Sequence, residues 1–282
     1  MNIGIVGLGL IGGSFAKAIK KNTKHTVLGY DISEPVFLKA KLLESVDYEL
    51  TPERIPLCDI TVIATNPEAG LEYIKNNASV FKKGAVVMDI CGIKRNICSE
   101  AFSIAKHNGF IFVGGHPMAG LEHSGFSYSS AALFEGASMI LTPSPGTDIA
   151  VLDTLHKLFG AMGFTRVEMT TPEHHDRIIA YTSQLAHVVS SAFVKSPTAQ
   201  EHNGYSAGSY KDMTRVALLD ENMWTELFRL NADNLLPELE CLIKNLGEYR
   251  DALAAKDFDR VKVLLKDGKE KKISADRKDL DE

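Results

Sequence analysis

The chain has 282 residues, of which 45% are hydrophobic and 24% charged, a balance typical of a globular protein with about two domains. Its net charge of −5 gives no basic surface for nucleic acid. No apolar run approaches the roughly 20 residues of a membrane span, and no signal-peptide pattern precedes the first predicted strand. The four cysteines form no C-x-x-C pair and no zinc spacing, so we expect reduced thiols and a cytoplasmic protein.

The first fourteen residues, MNIGIVGLGLIGGS, carry the clearest motif. A short apolar strand leads into a G-x-G-x-x-G turn, and a helical pattern follows. The first glycine allows the tight turn, the second lets backbone approach a pyrophosphate, and the third lets the helix pack on the strand. Free N–H groups at the helix start favour a phosphate. The predicted cofactor-binding residues of this turn are Gly7, Leu8, Gly9, Leu10, Ile11 and Gly12.

A second apolar run ends at Asp31, nineteen residues after Gly12. A dinucleotide-binding fold places there the acid that binds the adenosine ribose hydroxyls. Because such a carboxylate accepts bonds from two hydroxyls and repels a 2′-phosphate, we predict NAD rather than NADP as the cofactor. Thr65 ends another apolar run, at a turn that would pass the cofactor. The alternative to this dinucleotide site is a glycine-rich turn at residues 7–12 that binds nothing.

Apolar strands and helical segments alternate up to about residue 170, which predicts parallel strands joined by helices. The predicted strands are 60–65, 85–90, 110–113, 138–142 and 165–169, with helices at 34–45 and 149–162. From Pro172 on helical periodicity takes over, beginning with a long helix over 173–194. We therefore predict an α/β protein, with a Rossmann-like dinucleotide-binding domain over residues 1–168 and an all-helical domain over 169–282.

The last long helical segment repeats apolar residues at helical spacing. They are Leu235, Leu239, Leu242, Leu246, Tyr249 and Leu253. Because one small domain does not need so many apolar positions to fill its core, we predict a homodimer formed through the helical domain. The run of charge from Lys266 to the end predicts a solvated and partly frayed tail.

His116 lies in GGHPMAG, which reads as a glycine-flanked loop after a buried strand. Parallel sheets bind ligands at the carboxyl ends of their strands, where an imidazole suits a general base near neutral pH. The alternative is a histidine that caps a turn. His187 lies in a polar stripe of an apolar helix, with Ser183 and Ser191 one turn to either side. Such a stripe either lines a wet cavity or satisfies its own hydrogen bonds.

Asp212 and Arg215 are three residues apart, which suits an ion pair on a helix surface. In the alternative interpretation, Asp212 orients Arg215 to grip a substrate carboxylate with its guanidinium fork. Trp224, the only tryptophan, favours a core position. His174 and His175 are adjacent and do not share a helix face, so we predict no metal site.

Together these motifs resemble the prephenate/arogenate dehydrogenase family of tyrosine biosynthesis. The matching segments are GLGLIGGS at 7–14, Asp31, DICGIK at 89–94, GGHPMAGLEHSG at 114–125, TPEHHDRIIAYTSQLAHVVSSA at 171–192 and GSYKDMTRVA at 208–217 with Trp224. The His-Pro-x-Ala-Gly loop with Glu122 and the D-x-x-R segment are fairly specific to the family, and the glycine fingerprint is not. The resemblance implies a Rossmann-like domain, a helical dimerisation domain and the small-molecule substrate prephenate.

The resemblance also implies roles for single residues. His116 would accept the proton of the ring hydroxyl of prephenate while hydride leaves the same carbon for the nicotinamide. Loss of carbon dioxide would then give 4-hydroxyphenylpyruvate. Arg215, oriented by Asp212, would hold a substrate carboxylate. His187 would be a polar wall of the pocket, and Glu122 an acid that positions or gates its loop.

This chain departs from the family at Gly92, where the pattern D-x-G-S-x-K often places a serine near the catalytic histidine. The role of that serine is absent here, or a water or a neighbouring group has taken it over. Three other functions stay open: an arogenate dehydrogenase, a 3-hydroxy acid dehydrogenase of similar architecture, and a catalytically silent NAD-binding sensor.

Overall fold

The computed structural model describes residues 1–280. In this part of the chain, eight strands form one sheet of order β3-β2-β1-β4-β5-β6-β7-β8. The strands are β1 (Asn2–Val6), β2 (Thr26–Tyr30), β3 (Tyr48–Glu49), β4 (Ile60–Ile63), β5 (Val86–Asp89), β6 (Ile111–Pro117), β7 (Ser138–Pro143) and β8 (Arg166–Met169). Neighbours pair in parallel except β6 and β7, which are antiparallel. The prediction of a parallel α/β sheet is thus confirmed apart from this one reversed pair.

Helices connect the strands and continue after the last one. They are α1 (Leu10–Asn22), α2 (Glu34–Leu42), α3 (Pro67–Asn77), α4 (Arg95–Asn108), α5 (Ile149–Ala161), α6 (Pro172–Ile179), α7 (Ala186–Phe193), α8 (Gly208–Thr214), α9 (Glu221–Leu230), α10 (Ala232–Ala254) and α11 (Phe258–Leu280). Thr171 caps α6 by accepting the His174 N–H. A π-helical segment, Ala180–Leu185, joins α6 to α7, so the predicted helix over 173–194 exists with a changed register in its middle.

Apolar side chains of the sheet fill two cores, one on each face. Neighbouring residues of one strand join different cores: Ile5 belongs to the first, and Val6 of the same strand belongs to the second. Strands buried on both faces are continuous apolar runs, which explains why β1, β4 and β5 were recognisable in the sequence. The covered sheet gives a rigid carboxyl edge, from which the loops after β1, β4, β5 and β6 emerge.

The described chain forms two compact units, Met1–Ala232 and a unit that begins at Asp233. The first contains the sheet and α1 to α9, and α6 packs against α4 within it. The second contains α10 and α11, which are joined by an ion pair in which Arg260 Nη2 lies 2.7 Å from Glu248 Oε2. No helix among the described residues is long and apolar enough to cross a membrane.

The charged tail is helical where we expected fraying, because α11 continues to Leu280. Opposite charges one helical turn apart explain the difference, since such pairs stabilise an exposed helix. Lys271 Nζ lies 2.5 Å from Asp267 Oδ2, and Lys272 pairs with Asp276 in the same spacing. The last two residues of the predicted tail lie outside the described residues.

Candidate active site

The predicted cofactor turn joins β1 to α1 at the carboxyl edge of the sheet. Gly7 has a φ of +87°, a conformation that L-residues rarely adopt. A Cβ on Gly12 would lie 1.9 Å from the Gly7 carbonyl oxygen, whereas a Cβ on Gly9 would meet nothing within 4 Å. Leu10 and Ile11 form the first turn of α1, whose N-terminus has no side-chain cap. The turn therefore combines close helix packing with open backbone, as a pyrophosphate site requires.

Asp31 follows β2 and is held beside this turn. Its carboxylate accepts the backbone N–H of Leu8 at 2.7 Å and that of Ser33 at 2.9 Å. The Leu8 side chain is fully buried, so Leu8 acts through its backbone and fixes Asp31. Thr65 lies next to the turn, since its methyl carbon would be 3.0 Å from a Cβ on Gly7. These residues fit a dinucleotide.

His116 is the sixth residue of β6, and not part of a loop after it as we expected. The strand continues to Pro117 because it pairs with β7, which places His116 opposite Ile140. Nδ1 of His116 lies 2.9 Å from Nε2 of His175. The other ring nitrogen, Nε2, faces Gly92, where a Cβ would lie 3.8 Å from it. The ring is thus held at one nitrogen and open at the other.

The glycines before His116 serve packing within the sheet. A Cβ on Gly114 would lie 2.2 Å from Thr142 Oγ1, and a Cβ on Gly115 would lie 2.7 Å from the Met88 methyl carbon. These glycines allow β6 to lie tightly between β5 and β7.

His175 and Asp176, to which we assigned no role from the sequence, complete a chain of buried polar groups behind His116. Nδ1 of His175 lies 2.7 Å from Oδ1 of Asp176. The Asp176 carboxylate also accepts the backbone N–H groups of Lys94 at 2.8 Å and Arg95 at 2.9 Å, at the N-terminus of α4. A carboxylate at a helix N-terminus is stabilised by the free N–H groups and the helix dipole. The available signal was the pair His-Asp in the first turn of a predicted helix.

Burial keeps both imidazoles neutral. It lowers the pKa of His116 well below the ordinary histidine value, and the neighbouring His175 and Lys94 lower it further. Burial also lowers the pKa of His175, although its hydrogen bond to Asp176 opposes that shift. At neutral pH the free nitrogen of His116 can therefore accept a proton.

A buried ion pair lies between the end of β5 and the start of α4. Lys94 contacts Asp89, and neither side chain is more than 1% exposed. The Sγ of Cys91 donates to Asp89 Oδ2 at 2.7 Å, and burial raises the pKa of this thiol. Although burial opposes it, the Asp89 charge raises the pKa of Lys94, which stays a fixed cation. Cys91 is thus turned toward the ion pair.

Arg215 forms an exposed ion pair with Glu122. Its Nη1 lies 2.7 Å from Oε1 of Glu122, and the side chains are 63% and 27% exposed, respectively. This hydrogen bond lowers the pKa of Glu122. We expected Asp212 to orient Arg215. However, α8 ends at Thr214, and Arg215 begins a 3₁₀ segment, Arg215–Ala217. The guanidinium therefore reaches the loop after β6, and its partner is Glu122 and not Asp212.

The predicted pocket wall, His187, stacks on Trp224, with 3.7 Å between the ring centroids. Its Nδ1 lies 2.9 Å from the Ser183 carbonyl oxygen, so Nδ1 donates and Nε2 is left to accept. Burial lowers the pKa of His187. Trp224 is half-buried, and its main ring partners are His187 and Phe228, so it supports the polar stripe and is no deep core residue.

Asn231, fully buried at the end of α9, is another residue that we overlooked. Its amide nitrogen donates to the Asp176 carbonyl oxygen at 2.9 Å and to Gln184 Oε1 at 2.8 Å. Its Oδ1 accepts from Arg95 Nη2 at 3.1 Å. Asn231 thereby ties α4, α6 and the π-helical segment together around Asp176. Within residues 1–280, no three His, Cys, Asp or Glu side chains group as a metal site.

Comparisons with known proteins agree with this geometry. A family model described as the nucleotide-binding domain of prephenate dehydrogenase matches residues 15–167, and one described as its dimerization domain matches 171–267. A prephenate dehydrogenase of Bacillus subtilis is 30% identical over 94% of this chain and 74% of its own length. A cyclohexadienyl dehydrogenase of Zymomonas mobilis is 29% identical over 97% of this chain and 95% of its own. The chain belongs to the prephenate dehydrogenase family.

A solved structure gives the same result for the fold. The crystal structure of prephenate dehydrogenase from Aquifex aeolicus, in complex with hydroxyphenyl propionate and NAD+, has a TM-score of 0.85 at 29% identity and covers 97% of this chain and 98% of that one. The arogenate dehydrogenase of Synechocystis, at 24% identity and a TM-score of 0.80, covers 96% of this chain and 99% of that one and shares the fold. The predicted combination of a dinucleotide-binding domain and a helical dimerisation domain is confirmed.

Proposed function

We propose that the chain is an NAD-dependent prephenate dehydrogenase, which converts prephenate to 4-hydroxyphenylpyruvate and carbon dioxide in tyrosine biosynthesis. The observation that carries this proposal is the neutral imidazole of His116, whose Nε2 faces the space beside Gly92. A general base in this position can take the proton from the hydroxyl of the carbon that gives up hydride. The Aquifex aeolicus relative was solved with NAD+ and hydroxyphenyl propionate, whose hydroxyphenyl ring matches that of the product.

When bound, the nicotinamide accepts the hydride. The residues that we propose to hold the dinucleotide are Gly7, Leu8, Gly9, Leu10, Ile11, Gly12, Asp31 and Thr65. The first turn of α1 offers its N–H groups to the pyrophosphate. Asp31, fixed by the Leu8 N–H, takes the ribose hydroxyls and repels a 2′-phosphate, so we expect NAD to be used more efficiently than NADP.

His116 takes the hydroxyl proton at Nε2 as the hydride leaves the same carbon. The ring carboxylate leaves as carbon dioxide, and the electron pair of the broken carbon–carbon bond completes the aromatic ring as a phenolate. The phenolate oxygen then takes a proton back from His116, which gives the hydroxyl group of 4-hydroxyphenylpyruvate and restores the neutral base. Aromatisation makes the reaction effectively irreversible. The protein therefore has to orient the reacting groups and remove one proton, and both tasks fall to fixed side chains.

We propose Arg215 as the anchor of a substrate carboxylate. Its pair with Glu122 is exposed to solvent, so a substrate carboxylate can take the place of the Glu122 carboxylate at the guanidinium. Glu122 then acts as the acid that positions the loop after β6. His187 forms a polar wall of the pocket, and Gly92 leaves room beside the base.

The test offers prephenate and arogenate to the purified protein, each with NAD and with NADP, and follows the nicotinamide absorbance. We expect turnover of prephenate with NAD. Turnover of arogenate alone would instead assign the amino substrate, and turnover of neither would favour a 3-hydroxy acid dehydrogenase or a silent sensor. His116→Asn should fold and bind NAD but lose about two to four orders of magnitude in kcat. Near-normal turnover in this variant would remove His116 from the mechanism.

We further propose that the protein works as a homodimer. The apolar face of α10 supports this, because Leu246 and Leu253 are 57% and 55% exposed, although Leu235 is buried. Obligate dimers bury more than about 2,000 Å². Sizing and scattering at micromolar concentration should show a dimer, and the double variant Leu246→Glu/Leu253→Glu should shift it toward a monomer. The control is Lys244→Glu, an exposed charge on the same helix; a wild-type monomer would contradict the proposal.

The remaining proposals concern organisation and location. We propose domain bounds of 1–168 and 169–282, which the gap between the two family matches supports. We also propose that the protein works in the cytoplasm, which cell fractionation tests.

A further inference from the structure

We propose that His175 and Asp176 are positioning residues that hold His116 in the one tautomer able to act as the base, with the proton on Nδ1 and Nε2 free. The catalytic role of this pair rests on the proposed function, in which His116 is the base. The geometry of the pair is given by three contacts: His116 Nδ1 to His175 Nε2 at 2.9 Å, His175 Nδ1 to Asp176 Oδ1 at 2.7 Å, and Asp176 to two backbone N–H groups.

The tautomers follow from the fixed end of this chain. Both oxygens of the Asp176 carboxylate accept backbone N–H groups, those of Lys94 and Arg95, so Asp176 is an acceptor toward His175 as well. His175 must therefore carry its proton on Nδ1, which leaves its Nε2 bare. A bare nitrogen can only accept, so the proton between the two rings belongs to Nδ1 of His116. The tautomer of a histidine is set in this way by the bond that its other nitrogen makes.

The surrounding charges preserve this arrangement. Lys94 is paired with Asp89 in the buried ion pair, and the Arg95 guanidinium faces Asp176, with its Nε 3.4 Å from Oδ2. Both side chains of the positioning pair are buried, which limits the access of solvent to the contact between the rings. Asn231 holds the Asp176 backbone from the other side. Asp176 is thus fixed by the start of α4 and by the end of α9.

In the reaction, the pair acts through His116 and does not touch the substrate. When Nε2 of His116 takes the hydroxyl proton, the ring becomes an imidazolium whose Nδ1–H remains bonded to His175. The Asp176 carboxylate lies on the far side of His175 and lowers the energy of this positive charge. The pair therefore favours the correct form before the transfer and stabilises the cation after it.

Three variants test the inference. His175→Leu removes the acceptor, and we expect kcat to fall about 10- to 100-fold, less than the two to four orders expected when the base itself is lost, while KM and the Kd for NAD change less than about threefold. His175→Gln restores an acceptor toward His116 and a donor toward Asp176, so it should regain most of the lost kcat. The matched control is His174→Leu, which alters the exposed neighbour on the same turn and should leave kcat unchanged.

A spectrum without substrate separates this inference from the proposed function. In ¹⁵N NMR of the free protein above the pKa of His116, the signals that disappear in His116→Asn identify its ring. We expect a pyrrole-type Nδ1 and a pyridine-type Nε2 in the wild type and in His175→Gln, and a mixture of tautomers in His175→Leu. A pyridine-type Nδ1 in the wild type, or equal losses of kcat in the leucine and glutamine variants, would overturn the inference even if prephenate is turned over. If the leucine variant does not fold, the wild-type spectrum and the glutamine variant still decide.

Discussion

Two ion pairs of the site differ in their exposure to solvent. Lys94 and Asp89 are at most 1% exposed, whereas Arg215 and Glu122 are 63% and 27% exposed. Breaking the buried pair leaves a charge that no water can solvate, while an exposed pair contributes no more than about 1 kcal/mol and exchanges partners readily. The buried charges therefore build the site, and the exposed guanidinium suits the substrate-binding role that we propose for it.

The strongest test of this difference removes the buried cation. Lys94→Met leaves the Asp89 carboxylate buried, and one of its oxygens already has no hydrogen-bond partner. We expect the free energy of unfolding to fall by about 3–5 kcal/mol, measured by urea denaturation. The control is Lys75→Met, since Lys75 and Glu100 form a pair in which both side chains are nearly half exposed. A loss as small as the control's would mean that the buried pair does not stabilise the fold.

The exposed pair should behave differently when its cation is removed. Arg215→Ala should cost about 1.5–3 kcal/mol in kcat/KM, mostly through KM, because it loses a charge-assisted grip on a carboxylate. The free energy of unfolding should change by less than about 1 kcal/mol. Steady-state kinetics and urea denaturation measure the two effects, with Lys157→Ala, which breaks an exposed pair with Asp153, as control. A collapse of stability with unchanged KM would make Arg215 structural.

Lowering the pH tests the histidines of the site, because burial lowers their pKa values in the folded protein. Burial lowers the pKa values of His116, His175 and His187 in the folded protein, while the unfolded chain takes up protons near about pH 6.5. Their contribution to stability is therefore complete above about pH 6.5 and is lost as the pH falls through the lowered folded values. Unfolding between pH 8 and 5 should show this slope, and His187→Asn should reduce it. The kcat/KM should rise with pH through a pKa below the ordinary histidine value; a pKa above it would contradict the buried, neutral base.

The sequence predicted those features that depend on short-range pattern. The glycine turn, Asp31 and the buried strands each follow from a few neighbouring residues, because turn geometry and burial on both faces restrict the residue types locally. The position of His116 at the carboxyl edge followed from the order of the elements. The charged tail could have been predicted as a helix too, since Asp267 and Lys271 carry opposite charges one helical turn apart.

Contacts between distant segments could not be predicted in the same way. His175 meets His116 across 59 positions of the chain, and Arg95 meets Asn231 across 136. We considered His175 only as a metal ligand beside His174, so its neighbour Asp176 received no role. Arg215 was paired with Asp212 on helical spacing, but the helix ends at Thr214 and the guanidinium reaches Glu122 instead. Spacing rules apply only while the helix continues.

The smallest expected effect concerns Gly92. A serine there fits, because a Cβ would lie 3.8 Å from His116 Nε2 and 3.9 Å from Leu227 Cδ1, which is ordinary contact, and φ of Gly92 lies outside the left-handed region. The hydroxyl would reach the side of the imidazole that His175 does not hold. One neutral hydrogen bond is worth about 0.5–1.5 kcal/mol, so Gly92→Ser should raise kcat/KM about twofold to tenfold without changing the reaction or the free energy of unfolding. Gly92→Ala adds the Cβ alone and should give no gain. If serine lowers kcat/KM as much as alanine does, the space beside Nε2 is needed by the substrate itself, and the missing family serine has no role left to restore in this chain.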